Sequence, residues 1–200
     1  MDHKKNLVKL TFYDGSDVVL SADAVVAFSL KKDAEVCQDD IKKIIRHDKH
    51  NRAISESLSL LARNSYSEKM LYEKLLRKGY DEQEIKKAIE RMQNLNYIND
   101  ERYAQRFVNY LVSKKKGFIA IKFELQKRGL SKDIIEKALK ETEINKEQFE
   151  LITEIMEKKF KDIDVEDKRQ VQRAVAFFLR KGFCIQDISK AFKEYKSVIL

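Results

Sequence analysis

Apolar residues recur at intervals of three and four along most of this chain, and this spacing places them on one face of an α-helix. Ile54, Leu58 and Leu61 show the spacing first, and Phe149, Ile152 and Met156 show it again near the C-terminal third. Proline is absent and glycine occurs only five times in 200 residues, so few positions interrupt a helix. The sequence therefore predicts a mostly α-helical protein.

The first fifty residues follow a different pattern. Leu10 and Phe12 alternate with polar neighbours, an apolar stretch returns over residues 18–20, and Asp14-Gly15 between them is typical of a tight two-residue turn. This order predicts a β-hairpin. Because an isolated hairpin is only marginally stable, we expect it to pack on the apolar segment 22–30. A polar helix is then expected over residues 38–49, before a separate helix that begins near Ala53.

A pattern of helix, stop and second helix occurs three times, around Gly79, Gly129 and Gly182, which lie 50 and 53 residues apart. Each glycine has a bulky apolar residue four positions before it and an apolar residue directly after it. The cation pairs that precede the glycines are Arg77-Lys78, Lys127-Arg128 and Arg180-Lys181. Basic residues in a last turn followed by a glycine predict helix C termini. Self-similarity at this period indicates an array of helical repeats.

The repeats divide the chain into four expected segments. Residues 1–51 form a small α+β segment with the hairpin, and three-helix repeats follow over 52–99, 100–144 and 145–200. Charged residues make up 37% of the chain, against about 25% in a typical globular protein. Such a composition favours a large exposed surface, and the predicted fold is therefore tandem three-helix repeats in an elongated, curved array.

Local signals predict where several helices begin. Asp81 with Glu84 three residues later is typical of a capping box, and Asp100 and Ser131 are predicted N-caps. The helix from Asp100 is expected to carry Arg102 and Arg106 on its exposed side, joined by Lys116 if it extends that far. Its predicted buried stripe consists of Tyr103, Phe107, Tyr110 and Leu111.

Positive charge is concentrated in the middle repeat. The chain carries a formal net charge of +8, and residues 102–132 alone hold nine cations and one anion, Glu124. In the last repeat, Arg169, Arg173 and Arg180 share one helix face. The cation pairs before the glycines also have a structural explanation as partners of the helix dipole. The scarcity of compensating acids nevertheless favours a surface for a polyanion or an acidic protein.

The residue types that usually form catalytic or metal sites are not grouped in this sequence. All three histidines, His3, His47 and His50, precede the helical repeats, and no phosphate-binding glycine motif occurs. Cys37 and Cys184 are far apart and predict reduced thiols rather than a disulfide framework. We therefore expect a cytoplasmic protein without a catalytic site, metal, cofactor or membrane segment.

Three stretches of sequence resemble the RecX family of regulators of the recombinase RecA. They are LSLLARNSYSEKMLYEKLLRKGY at residues 58–80, NDERYAQRFV at 99–108 and KGFIAIKFELQKRGL at 116–130. The resemblance covers about residues 53–195. It implies tandem three-helix repeats and a non-catalytic protein that lies in the groove of the RecA–single-stranded DNA filament. There it would limit ATP hydrolysis, strand exchange and filament extension, and so regulate recombination, DNA repair and the SOS response.

The resemblance implies RecA and single-stranded DNA as partners, with weaker binding to duplex DNA, and we expect a monomer. Charge alone selects the residues predicted to contact RecA or DNA. They are Arg77, Arg102, Arg106, Lys116, Lys122, Lys127, Arg128, Arg173 and Arg180. Two alternatives stay open: an autonomous helical DNA-binding protein such as a transcription regulator, and a protein-only scaffold.

Overall fold

The computed structural model describes residues 6–142, 144–164 and 166–199, and this part of the chain is mostly helical, as predicted. The chain forms two compact units. The first comprises Met1–Tyr66 and Met70–Ile98, and the second comprises Ser67–Lys69 and Asn99–Leu200. Each unit is considered below on its own.

The first unit contains the predicted hairpin and the helices that follow it. Its elements are β1 (Leu7–Thr11), β2 (Asp17–Ser21), α1 (Ala22–Ala27), α2 (Gln38–Leu61), α3 (Glu68–Arg77, whose first two residues belong to the second unit) and α4 (Glu82–Asn94). The described elements of the second unit are all helices, joined by short turns and loops. Its elements are α5 (Asp100–Ser113), α6 (Phe118–Lys127), α7 (Lys132–Glu141), α8 (Ile144–Lys159), α9 (Lys168–Lys181) and α10 (Ile185–Ile199).

The hairpin is antiparallel, with Leu7 opposite Ser21 and Thr11 opposite Asp17. Its turn differs from the predicted two-residue turn. The Phe12 amide donates to the Ser16 carbonyl at 2.9 Å, the Gly15 amide donates to the Phe12 carbonyl at 3.0 Å, and Gly15 has a φ of 82°. The loop is therefore a three-residue turn with the glycine in the left-handed region.

The hairpin is stabilised by packing on the helices next to it, as expected. Leu20 of β2, Ala24 of α1 and Ile44 of α2 form one buried cluster. The two helices expected over 38–49 and from Ala53 are a single 24-residue helix, α2. No glycine or proline lies between them, so the hydrogen-bonded ladder continues across the expected break.

The predicted capping box at the start of α4 is wrong. Asp81 is the N-cap residue, but its side chain makes no cap hydrogen bond and instead accepts one from the Lys49 ammonium at 3.0 Å. Glu84 is buried and lies 3.3 Å from the His50 ring nitrogen Nδ1. Both carboxylates are therefore used in contacts with α2 rather than with the α4 main chain.

The start of α5 is also shifted from its prediction. Asn99, not Asp100, is the N-cap, and its side chain accepts a hydrogen bond from the Arg102 amide at 2.8 Å. Asp100 instead accepts from the Glu68 amide at 2.9 Å. The predicted cap at Ser131 is confirmed, since its hydroxyl accepts from the Ile134 amide.

The three repeat glycines end their helices in the left-handed conformation, with φ of 86°, 79° and 85° for Gly79, Gly129 and Gly182. The C-terminal end of α9, at Gly182, lies against the N-terminal end of α6. The Gly117 amide donates to the Lys181 carbonyl at 2.8 Å, and the Ile119 amide donates to the Gly182 carbonyl at 2.9 Å. The carbonyls that end one helix thus satisfy the free amides that begin another.

This junction of α9 with α6 requires two residues without side chains. A Cβ atom on Gly117 would overlap the main chain of Gly182 and Phe183, and a Cβ on Gly182 would overlap Ala120. Between the two amides named above, the Phe118 amide donates to the buried Gln148 side chain at 2.8 Å. All three amides of this first turn are therefore paired inside the protein.

Gly129 at the end of α6 makes a related contact. The Ser67 hydroxyl donates to the Arg128 carbonyl at 2.6 Å, and a Cβ on Gly129 would overlap the Lys69 side chain. Gly79, in contrast, has open space around its Cβ position. Two of the three repeat glycines are thus constrained by close packing as well as by φ.

The last repeat is built around the predicted stripe of α8. Ile152 and Met156 are fully buried, and they share a cluster with Phe178 of α9 and with Phe183. This cluster fixes the end of α9, and hence Gly182, at the junction with α6.

We predict that Gly117→Ala destabilises the fold through overlap alone, because the φ of Gly117, −79°, is accessible to any residue. The expected loss is about 2 kcal/mol or more in the free energy of unfolding, as for overpacked sites. Gly79→Ala is the matched control, since it adds left-handed strain without overlap and should cost about 1 kcal/mol. Urea unfolding measures both. A Gly117→Ala variant as stable as the parent would contradict the described junction.

Candidate polyanion-binding surface

The junction of α9 with α6 gathers four lysines, called here the junction lysines: Lys115, Lys116, Lys159 and Lys181. Lys115 and Lys116 immediately precede Gly117, and Lys181 immediately precedes Gly182. Burial lowers the pKa of Lys181, and the positive charges of the other three lower it further. The Lys181 ammonium is therefore close enough to the other three to be affected by their positive charge.

An aromatic ring lies beneath two of these lysines. The Lys159 ammonium is 4.0 Å from the centroid of the Phe177 ring, and the Lys181 ammonium is 5.7 Å from it. Phe177 is held edge-on against Phe160 and Phe178, with centroids 5.5 Å away in each case. Cation–π attraction to a ring fixed in this way orients the two side chains.

The Glu154 carboxylate forms ion pairs at the edge of this region. Glu154 binds Lys115 at 2.8 Å and Lys158 at 2.7 Å, and the hydrogen bond from Lys115, followed by that from Lys158, lowers the pKa of Glu154 to about 2. Lys116, Lys159 and Lys181 have no side-chain hydrogen bond or ion pair to any residue that the structure describes. These three lysines therefore carry positive charge without an ion-pair partner among the described residues.

Arg173 extends this positive region along α9. It lines a surface hollow together with Lys159, Phe160, Asp162, Ile163 and Gln170. We call Arg173 and the junction lysines the junction tract. The tract combines two of the predicted contact residues, Lys116 and Arg173, with three lysines outside the predicted set.

Lys116 does not join Arg102 and Arg106 on α5, because the helix does not extend that far. The helix ends at Ser113, and Lys115 has a φ of 54°, so the chain turns before Lys116. Arg102 and Arg106 are exposed on α5 as expected. Arg102 lines a hollow between α5 and α7 that also contains Glu101 and Lys137, which bind each other at 2.8 Å. This hollow therefore has mixed charge.

The predicted buried stripe of α5 is partly wrong. The fully enclosed residues are Ala104, Val108 and Leu111. Tyr103, Phe107 and Tyr110 lie beside this stripe in a column of stacked rings whose neighbouring centroids are 5.9 Å apart, and Tyr110 is 52% exposed. The small residues approach the neighbouring helices closely, and the rings cover the edge of the core.

Arg128 differs from the other predicted contact residues because its side chain is used inside the fold. Its guanidinium lies 3.8 Å from the centroid of Phe107, its Nε donates to the Tyr103 hydroxyl at 3.1 Å, and it forms an ion pair with Glu124. These contacts join α5 to the end of α6.

The remaining predicted residues lie on separate surfaces. Lys122 and Lys127 are on α6, near Ile119 and Phe123, whose side chains are 54% and 61% exposed. Arg180 is exposed in the last turn of α9, one residue before Lys181. Arg77 belongs to the first unit, where it lies 3.6 Å from Glu73.

Sequence reasoning missed the grouping of Lys115, Lys159 and Lys181. Lys181 had a structural explanation as a partner of the helix dipole, and Lys115 and Lys159 were not among the predicted contact residues. The two glycines that bring them together are 65 residues apart, and no local signal pairs them. The exposure of Ile119 and Phe123, however, follows from helical phase, since both are at least 100° from the stripe of Phe118, Ile121 and Leu125.

We predict that Arg128→Ala lowers the free energy of unfolding by about 1–2 kcal/mol, because it removes a stacked cation and its hydrogen bonds. Arg106→Ala, which removes an exposed arginine of the same unit, should change stability by less than about 0.5 kcal/mol. Thermal and urea unfolding of the two variants give the comparison. Equal stabilities would show that the Arg128 contacts do not stabilise the fold.

Within the described ranges, no helix is both long and apolar enough to cross a membrane. The same residues contain no group of three or more histidine, cysteine, aspartate or glutamate side chains positioned to hold a metal ion.

Models of three RecX domains match this chain in order. The first three-helix domain matches residues 53–92, the second matches 99–139 and the third matches 146–192. Two relatives are each called "Regulatory protein RecX". The protein of Caldanaerobacter subterraneus subsp. tengcongensis is 31% identical over 90% of this chain and 89% of its own. That of Syntrophotalea carbinolica is 34% identical over 71% of this chain and 95% of its own.

Solved structures show the same fold. A crystal structure of regulatory protein RecX superposes with a TM-score of 0.69 and 21% identity, over 95% of this chain and 94% of its own. The structure of RecX from Lactobacillus salivarius gives a TM-score of 0.66 and 25% identity, over 74% of this chain and 97% of its own. With three domain models matched in order and relatives above 30% identity over most of their length, the chain belongs to the RecX family of regulatory proteins.

Proposed function

We propose that this protein is a non-catalytic regulator of RecA that docks in the groove of the RecA–single-stranded DNA filament. Docking there inhibits ATP hydrolysis, strand exchange and filament extension. Membership of a family of regulatory proteins supports the regulatory role. In this proposal the three-helix segments 52–99, 100–144 and 145–200 act as successive binding modules of a cytoplasmic monomer.

The observation that carries the proposal is the excess of positive charge in the junction tract. Lys116, Lys159 and Lys181 make no ion pair with a described residue, whereas exposed helices ordinarily interleave charges of both signs. A filament of protein on DNA offers both carboxylates and phosphates to such a surface. Long-range attraction between opposite charges would speed association and orient the partners.

The contact residues fall into two groups in this proposal. Lys116 and Arg173, with Lys159 and Lys181, form the main contact. Arg77, Arg102, Arg106, Lys122, Lys127 and Arg180 add exposed or half-exposed charge on the separate surfaces described above. Arg128 contributes indirectly, because its guanidinium is bound to Phe107, Tyr103 and Glu124.

Single-stranded DNA is the proposed nucleic-acid partner, and binding to naked duplex DNA is expected to be weaker. Contacts with phosphates release counterions, so any affinity for naked DNA should fall steeply as salt rises. Contacts with RecA itself would make filament binding less sensitive to salt than binding to naked DNA. Comparing the two salt dependences separates the protein contribution from the phosphate contribution.

The test of the proposal is a titration of the purified protein into RecA on single-stranded DNA, with ATP hydrolysis as the readout. A gel-shift of naked DNA at the same salt runs in parallel. We expect hydrolysis to fall at concentrations that do not shift naked DNA. Unchanged hydrolysis together with tight, sequence-selective duplex binding would overturn the proposal and favour an autonomous DNA-binding protein.

We predict that the triple variant Lys116→Glu, Lys159→Glu and Arg173→Glu raises the concentration needed for half-maximal inhibition at least about tenfold, or about 1.4 kcal/mol. The reversed charges would repel the acidic partner. The matched control reverses Lys31, Lys32 and Lys86, which are exposed lysines of the first unit, and so makes the same change in net charge.

Both variants should keep the helical circular dichroism of the parent protein. Equal loss of inhibition in the two would assign the effect to net charge and remove the junction tract as a contact surface. Full inhibition by the tract variant would have the same consequence.

A further inference from the structure

We propose that Lys181 is an activated nucleophile, and that acyl phosphates and acyl thioesters acylate this chain there in preference to its exposed lysines. The modification itself is a property of the chain alone. Its consequence for binding rests on the function proposed above.

The first argument is the surroundings of the Lys181 amine. The side chain is half-buried, and its nitrogen lies near the face of the Phe177 ring. No carboxylate or carbonyl of the described residues accepts a hydrogen bond from it. A lysine in such a place has lost part of its hydration without gaining an anion to stabilise its charge.

The second argument is the charge of its neighbours. Lys116 and Lys115 approach from the α5–α6 loop, and Lys159 approaches from the end of α8. Glu154, the nearby carboxylate, is already bound to Lys115 and Lys158. Burial first, and then the three like charges, lower the pKa of Lys181, so more of its amine is neutral at physiological pH. Desolvation and adjacent cations are the two ways in which lysines become nucleophiles.

The neighbouring lysines are protected by contrast. Glu154 accepts hydrogen bonds from Lys115 and Lys158, and it raises the pKa of Lys158. The Lys158 amine is thus held in the protonated form, which cannot attack a carbonyl, and the Lys115 amine is engaged in its ion pair with Glu154. The geometry therefore selects Lys181 over the two lysines that bind Glu154.

The third argument concerns the reagent. Acyl phosphates carry a phosphate, and the common acyl thioesters of cells are esters of a phosphorylated carrier, so both donors are anions. Lys116 and Lys159 make no ion pair with a described residue and are available to attract such an anion. The residues that activate the amine would also concentrate its acyl donor.

The reaction with acetyl phosphate balances without a further reactant. The lone pair of the neutral Lys181 nitrogen forms a bond to the acetyl carbonyl carbon. The tetrahedral adduct then expels phosphate, which leaves with the electron pair of the broken C–O bond. The nitrogen releases one proton to solvent, and the product is a neutral amide.

Acylation would remove one positive charge from the junction tract, because the amide product is uncharged. If the tract contacts the RecA filament, the modified protein should bind it more weakly. The basic surface would then respond to the supply of acyl donors.

The experiment follows acetylation of the full-length protein by acetyl phosphate, using peptide mass spectrometry over time. Lys193, an exposed lysine of α10 in the same unit, is the internal reference. We expect Lys181 to react at least about threefold faster than Lys193, because desolvation and adjacent cations activate the amine. A second series uses an uncharged acetyl ester, which reacts with amines but is not attracted by the lysines.

Two variants test whether the positive charge of Lys116 activates Lys181. Lys116→Gln removes a charge next to Lys181 and should lower its rate towards that of Lys193 with both reagents. Lys116→Arg keeps the charge and should preserve the fast rate. Circular dichroism and thermal unfolding establish that both variants are folded.

A Lys181 rate no higher than that of Lys193 would overturn the proposal. So would a preference seen with acetyl phosphate but not with the neutral ester, since that would assign the effect to attraction of the anion rather than to the amine. Equal rates in Lys116→Gln and Lys116→Arg would exclude charge as the cause. None of these measurements uses RecA or DNA, so their outcome is independent of the test of the proposed function.

Discussion

The close contact between the main chains at Gly117 and Gly182 is the constraint on which the second unit depends. It places the last carbonyls of α9 on the first amides of α6, with Gln148 completing the turn. Helix ends that lack partners must be hydrated or capped, and here one end satisfies the other. The contact also determines the chemistry of the surface, because it brings Lys181 next to the lysines before Gly117. The same contact therefore fixes both the arrangement of the two helices and the position of the basic surface.

The neighbours of a basic residue in this protein decide whether its side chain stabilises the fold or stays unpaired at the surface. Arg128 and Lys116 lie in the same cationic stretch of sequence, yet Arg128 is bound to a ring, a hydroxyl and a carboxylate. Lys116 is half-exposed beside other lysines. A guanidinium that joins two helices stabilises the fold, whereas crowded ammonium groups cost free energy until an external anion arrives. In the proposed function, the junction tract is consequently the part of the described surface where we expect the partner to bind.

Local features were predictable, and features that depend on distant residues were not. The hairpin, the glycine helix ends and the α8 stripe follow from turn residues and periodicity, and the structure confirms them. The continuity of α2 was missed because weak local signals for a break were outweighed by an uninterrupted ladder. The capping box failed because Glu84 is drawn to His50 on another helix. The junction lysines are contributed by three separate segments, so only the tertiary structure brings them together.

A junction made mainly of main-chain atoms restricts the size of its two glycines and of Ala120, and it uses one side chain, Gln148. Every amino acid except proline has the same amide and carbonyl, so the bonds from Gly117 to Lys181 and from Ile119 to Gly182 do not depend on the side chains around them. During evolution, the residues that flank such a join are therefore free to be replaced, provided that the two glycines remain. Members of one lineage could in this way acquire different surface charges, and different preferences among partners, while their helices stay in the same arrangement.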